Sequence, residues 1–195
     1  MKDFIISSSR ISIRPHKDHD VTLLNKSILD SFENLHQWMD WALAPPSIDE
    51  TRSYVTYASN CWSKERADEL PLLIFDRYGE NLIGSTGLHR INWEIPSFEI
   101  GYWVSINHTG KGLITEAVNI LTQFAFLKFN AKRIEIRCDS ENDKSAAIPN
   151  RLGFVLEARL KNHRIQPISK KVSDTLVFAR YDSQGLPKVE WNFHQ

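Results

Sequence analysis

The stretch Ile100-Gly101-Tyr102-Trp103-Val104-Ser105-Ile106-Asn107-His108-Thr109-Gly110-Lys111-Gly112-Leu113 holds the residues with the clearest chemical meaning in this chain. An apolar run leads into a small turn, and the turn opens directly onto a helix-forming segment. Unpaired backbone N–H groups at a helix start, with the positive end of the helix dipole, attract an anion. Gly110 and Gly112 let the backbone close around a phosphate, and Lys111 adds a formal charge in the same turn. The same sequence also suits a plain strand-to-helix connection that binds nothing, because glycine-rich turns are common. Two other phosphate loops are excluded. No Gly-x-x-x-x-Gly-Lys-Ser/Thr string occurs, and the dinucleotide fingerprint fails because Thr115 stands where its third glycine belongs.

Other chemistries lack their residues. His36, His89 and His108 show no metal spacing, and there is no Cys-x-x-Cys or His-x-x-x-His, so no metal is expected. No Gly-x-Ser-x-Gly elbow supports a nucleophilic serine. Cys138 reads as strand packing, and Cys61 carries no reactive signature. With these two cysteines and no apolar export segment in MKDFIISSSRISIRP, the expected compartment is the reducing cytoplasm.

The elements that must position the turn follow from periodicity. Ile11 to Arg14 alternates as a strand ending at Pro15, and Asp18 to Phe32 and Glu33 to Trp41 read as two short helices. Ser47 with Glu50 forms a capping box opening a helix to about Ala67. Leu70 to Phe75, Leu82 to Ile91 and Phe98 to Ser105 form a meander, with the second strand expected to be weakened or bulged at Gly84 and Gly87. A helix from Leu113 to Phe129 and a strand from Ile134 to Cys138 follow. A helix from Asn142 to Leu152 ends at Gly153, and strands from Phe154 to Leu160 and Asp174 to Tyr181 close the chain around a Lys-rich loop. The pattern predicts a mixed α/β (α+β) sheet flanked by helices. Residues 1–195, without linker or repeat, read as one domain. Its 24 Lys plus Arg balance 24 Asp plus Glu, which argues against coating nucleic acid or an anionic membrane. No apolar run approaches the roughly 20 residues needed to span a bilayer.

Gly101-Tyr102-Trp103-Val104 followed by His108-Thr109-Gly110-Lys111-Gly112-Leu113-Ile114-Thr115-Glu116-Ala117 resembles the acetyl-coenzyme A segment of the GNAT superfamily, in its RimJ/RimL-like branch. A second match follows at Asn142-Asp143-Lys144-Ser145 and Asn150-Arg151-Leu152-Gly153-Phe154, and Arg10 to Pro15 resembles the branch's first strand. Asp174 falls where the branch often carries Asp, so the resemblance covers nearly the whole chain. It departs from the usual loop at Thr109 and Ile114.

The resemblance implies a largely antiparallel GNAT sheet with a splayed central strand. It implies transfer of an acetyl group from acetyl-CoA to a primary amine by direct attack, without an acyl-enzyme. The acceptor would be a protein or peptide amino terminus of ribosomal type. Alternatives are a small amine (antibiotic, polyamine or amino-acid conjugate) or a sensor that binds acyl-CoA without turnover. Trp103, Val104 and Ser105 would pair with pantetheine, and Thr109, Gly110, Lys111, Gly112 and Leu113 would hold the pyrophosphate. Asn142 would contact the cofactor or cap its helix, and Ser145 would assist the leaving sulfur or serve only as a first-turn polar residue. Glu99 is the first choice of base and Glu135 the second, each also readable as a surface or ion-paired carboxylate. Trp38, Trp41 and Trp62 read as core, although the resemblance implies that helices in that region border the acceptor groove, and Trp93 on a turn reads as a candidate for the acceptor site. The implied partners are the amine acceptor and, at most, a second copy of the chain: a monomer or homodimer.

Overall fold

The computed structural model describes residues 3–195. Its strands are β1 (Ile5–Ser8), β2 (Ile11–Arg14), β3 (Leu70–Asp76), β4 (Leu82–Asn92), β5 (Ser97–Val104), β6 (Arg133–Asp139), β7 (Val155–Ile165), β8 (Val172–Arg180) and β9 (Trp191–His194). The helices are α1 (Val21–Asp30), α2 (Phe32–Trp38), α3 (Ile48–Cys61), α4 (Leu113–Lys128) and α5 (Asp143–Arg151). One sheet contains every strand, in the order β7-β8-β6-β5-β4-β3-β2-β1-β9. Among the described residues only β5 and β6 pair in parallel.

Helices cover both faces. On one, α4 presents Ile114, Ala117, Val118, Leu121, Phe124 and Ala125, a stripe with helical spacing, to Ile13, Leu72, Ile100 and Ile134 of the sheet. On the other, Val21, Leu24, Leu35 and Val55 of α1–α3 pack on Leu73, Phe75 and Leu82. The unbroken apolar run of β3 follows from this, since its alternate residues supply opposite cores. The capping box forms as expected, with Ser47 N donating to the Glu50 carboxylate at 2.7 Å and Glu50 N to Ser47 Oγ at 3.2 Å.

Several boundaries differ from the expectation. Strands β1 and β9 were not foreseen; each is four residues long, and they pair with each other across nearly the whole chain. A 3-10 turn at Asp18–Asp20 precedes α1, which stops at Asp30. Helix α3 ends at Cys61 rather than Ala67, where Trp62 turns inward and its indole N–H donates to Pro71 O at 2.8 Å. The Lys-rich loop shrinks to the residues between Ile165 and Val172, because exposed β7 carries too few apolar residues to read as a long strand. A register shift lies between Ile74 and Phe75, opposite Gly84, whereas Gly87 sits in a regular ladder.

The central strands separate. The β5–β6 pairing comprises Ser97–Arg133, Phe98–Ile134 and Glu99–Glu135, and then stops. Beyond it β6 continues on β8, while β5 runs to Val104 with one edge unpaired. A ladder of charge crosses the sheet where the pairing ends. Glu99 lies 3.4 Å from Arg137 and 3.5 Å from Arg90, and Glu135 bridges Arg137 at 2.8 Å and Arg133 at 2.6 Å. Arg133 reaches on to Glu157 of β7.

Beyond β2, His16 is buried edge-on against Tyr54 of α3, with ring centroids 5.5 Å apart. Burial drives its imidazole down to about 4 from the ordinary 6.5, against the pull of Asp20 and helped by Arg14. The unfolded chain therefore binds this proton more readily, so the stabilisation is complete above the ordinary value and is lost as pH falls through about 4. The melting temperature should fall across that window, and His16→Gln should flatten this part of the curve. An unchanged slope in the variant would contradict the assignment.

Candidate active site

The edge of β5 that β6 leaves unpaired runs from Ile100 toward Val104 and feeds the glycine turn. Ser105 N donates to Ile83 O at 2.8 Å, and Ile106 N to the buried hydroxyl of Ser31 at 3.0 Å, which ties the turn to β4 and to the α1–α2 junction. A short 3-10 segment, Ile106–His108, brings the chain to Thr109, whose hydroxyl donates to Ile106 O at 3.1 Å. Gly110 and Gly112 adopt φ of +74° and +72°, and no atom lies within 4 Å of where a side chain would begin at either. The glycines are thus required by backbone conformation, and the space above them is open. No side chain caps α4, so the N–H groups of its first turn point into that space.

Lys111 folds back, its Nζ donating to Asn107 O at 2.9 Å. Arg10, from the β1–β2 turn, donates to Lys111 O at 2.6 Å and pairs with Glu116 at 3.2 Å. It adds a second cation beside the turn, one that no local motif announced. Leu113 is half-buried against the core, and Ile114 points fully into it.

Across the gap stands α5. Asn142 Oδ1 accepts from Ser145 N at 3.0 Å, so this side chain caps the helix. Tyr102 reaches from β5 with its hydroxyl donating to Ser145 O at 2.9 Å, while Ser145 Oγ donates to the same phenol oxygen at 3.3 Å. Burial pushes the Tyr102 phenol well above its usual range, so it keeps its proton. Burial likewise raises Cys138, against the effect of Ser145, to about 11, which keeps it an unreactive thiol.

On the opposite face of the sheet a cavity of about 500 Å³ opens between α1, α3 and the β4–β5 pair. Trp41, Tyr54, Trp103 and Gly101 line it together with Glu50, Glu69 and His89. Trp93 lies elsewhere: it packs edge-on against Phe98 and Phe129 and donates to Ala67 O at 2.8 Å, a core role, while Trp41 borders the cavity. Glu99 and Glu135 are not among the cavity's lining residues. Burial favours the neutral form of Glu135, but Arg137 and Arg133 outweigh it and hold the carboxyl below its ordinary range. Among the described residues no three His, Cys, Asp or Glu side chains group as a metal site, and no helix is long and apolar enough to cross a membrane.

A family model described as an Acetyltransferase (GNAT) domain matches residues 10–155, which takes in both the turn and α5. The chain belongs to the GNAT acetyltransferase family. This GNAT chain is 30% identical to YdaF of Bacillus subtilis (strain 168) over 80% of its own length and 83% of that protein. It is 28% identical to the ribosomal-protein-serine acetyltransferase of Escherichia coli (strain K12), over 94% of its length and 100% of the relative. Its fold is similar to a structure of RimL, a ribosomal L7/L12 alpha-N-protein acetyltransferase in complex with coenzyme A, with a TM-score of 0.83 at 24% identity. That likeness covers 93% of this chain and 99% of the other. The mixed, largely antiparallel sheet with its splayed centre is thus the GNAT fold.

Within this acetyltransferase, the turn (Thr109 to Leu113) follows the unpaired β5 edge (Trp103 to Ser105), and Ser145, in the first turn of the helix that Asn142 caps, meets that strand through Tyr102. The two glutamates lie in the charge ladder at the gap's origin instead. Sequence reading missed Tyr102, Arg10, Glu69 and His89. Tyr102 was signalled only by its place in Gly-Tyr-Trp, and His89 lies 20 residues from its partner Glu69 with no motif between them.

Proposed function

We propose that the whole chain acts as one acetyltransferase domain that moves an acetyl group from acetyl-CoA to the amino terminus of a protein, with a ribosomal protein as the acceptor. The observation that carries the reading is the pairing of two compartments across β5. One is an open phosphate cradle beside an unpaired strand edge; the other is an aromatic cavity bearing carboxylates. The relative named for ribosomal-protein serine supports the choice of acceptor. Both cysteines are free and buried, which suits action in the cytoplasm.

The positive-φ glycines, the uncapped α4 and Arg10 suit the pyrophosphate of coenzyme A, so the residues present fit the donor. Bound there, acetyl-CoA supplies an activated thioester. The β5 edge at Trp103 and Val104 offers backbone groups to the pantetheine amides and a donor toward the carbonyl oxygen. Tyr102, protonated and held by Ser145, is placed to give a proton to the departing sulfur. Glu50 and Glu69 in the cavity would attract an ammonium, and Trp41, Tyr54 and Trp103 would pack the first residues behind it.

Following thiol release from acetyl-CoA with a peptide beginning in serine and with simple primary amines tests this reading. Release is expected with the peptide. Turnover only with small amines would refute the acceptor assignment, and tight acetyl-CoA binding without any turnover would favour a sensor.

A further inference from the structure

Glu69, just before β3, and His89, on β4, meet in the cavity, with Glu69 Oε2 2.8 Å from His89 Nδ1. A carboxylate can only accept, so Nδ1 carries the hydrogen, and in the neutral ring Nε2 presents the lone pair. That nitrogen has no hydrogen-bond partner among the described residues, although its neighbour is fully engaged. The ring lies across two glycines that face each other on β4 and β5. A side chain at Gly87 would come 3.0 Å from Nε2, and one at Gly101 would come 3.1 Å from Cδ2 and 3.2 Å from Nε2. The sheet is therefore bare of side chains just where the imidazole needs room. Gly101 lies two residues before Trp103 on the strand whose free edge borders the coenzyme gap.

We propose that His89, oriented by Glu69, is the group that takes the proton from the acceptor amine. The inference rests on the acetyl-transfer reading above. The acceptor enters as an ammonium, and one N–H proton passes to His89 Nε2 and then to solvent. The neutral nitrogen forms the C–N bond to the acetyl carbon and the C–S bond breaks. The second nitrogen proton is lost to solvent as Tyr102 protonates the sulfur, and the phenol regains its proton from solvent. The net reaction converts ammonium and thioester to amide, thiol and one released proton. Glu69 plays the part of the carboxylate in a hydrogen-bonded triad, fixing the tautomer and stabilising the imidazolium.

The groups facing His89 suit this role. The Tyr57 hydroxyl of α3 lies near Glu69, whose carboxylate raises the tyrosine above its usual range. Tyr54 and Glu50 border the cavity from α3. Glu99, the register partner of His89 on β5, lies within ion-pair range of Arg90 and Arg137, although its buried Oε2 makes no hydrogen bond.

The test compares wild type, His89→Gln and Glu69→Gln on whichever amine the wild type acetylates, serine peptide or simple amine, so failure of the peptide alone refutes only the acceptor assignment. His89→Gln should lower kcat/KM at neutral pH by on the order of 100-fold and remove the acid limb of its pH profile. Acetyl-CoA affinity and circular dichroism should be unchanged, and Glu69→Gln should fall between the two. The deficit should shrink with less basic amines, which arrive already neutral. A folded His89→Gln enzyme with full activity, or one equally impaired for amines of every basicity, would overturn the assignment. So would loss of the acid limb in Glu99→Gln but not in His89→Gln.

Discussion

Alanine at position 84 should lower the melting temperature by about 6–12 °C, from a cost of about 3 kcal/mol at roughly 2–4 °C per kcal/mol for a chain of this size, and should remove most acetyl transfer. A β-carbon there would lie 2.2 Å from the carbonyl oxygen of Trp103 and 3.1 Å from Cα of Val104. Both are backbone atoms, so no rotamer change relieves the overlap. Either β5 shifts or the ladder breaks at the Gly84–Val104 pair. Trp103 and Val104 form the edge proposed to grip pantetheine, so stability and kcat/KM should fall together. A thermal melt beside a thiol-release assay reads both. A variant with a wild-type melt and rate would show that the close approach of β4 and β5 is dispensable.

Valine at position 112 should act differently, with a loss in acetyl-CoA affinity of about 10- to 100-fold, or ~1.4 to 2.8 kcal/mol, and little change in melting temperature. Beyond the adjoining residues nothing lies within 4 Å of the new β-carbon, so the effect is carried mainly by φ of +72°, which a β-branched residue avoids. The turn must rotate to relax, and the N–H groups at the start of α4 turn with it. Asparagine tolerates that region, so Gly112→Asn should keep most of the affinity. Isothermal titration of acetyl-CoA against the three proteins distinguishes the cases. Unchanged affinity in a folded Gly112→Val protein would refute the phosphate-binding assignment.

Local order explains which features were legible in the sequence. The capping box at Ser47, the α4 stripe and the two glycines are each encoded within a few residues, and the structure has them at the expected positions. Helix α5 with Asn142 and Ser145 likewise follows from a contiguous motif. Features that depend on distant partners were not legible. Strand β9 gains its identity only by pairing with β1, nearly the whole chain away. The long β7 is held by Asp174, which accepts from Asn162 N at 2.9 Å and from Arg159 at 2.6 Å, so an exposed polar stretch becomes a strand without apolar alternation. At the site the same rule separates Glu99 from His89. A glutamate two residues before Gly101 attracts notice as a base, yet only the fold reveals the two guanidiniums against it. An isolated histidine attracts none, and only the fold brings Glu69 to it.

The Arg–Glu ladder at the end of the β5–β6 pairing also acts as a length gauge. A strand advances about 3.3 Å per residue, so the register at which two strands stop pairing sets how much of the slot between them stays open. Here the stop lies at Glu99–Glu135, and five residues of β5, Ile100 to Val104, remain beyond it. Two more paired residues would shorten the slot by about 7 Å and carry its closed end toward Gly101. If the pantetheine arm lies along this edge as proposed, the pairing stop beside the charge ladder would limit how deep it reaches, and so which carbonyl carbon would come to rest opposite His89.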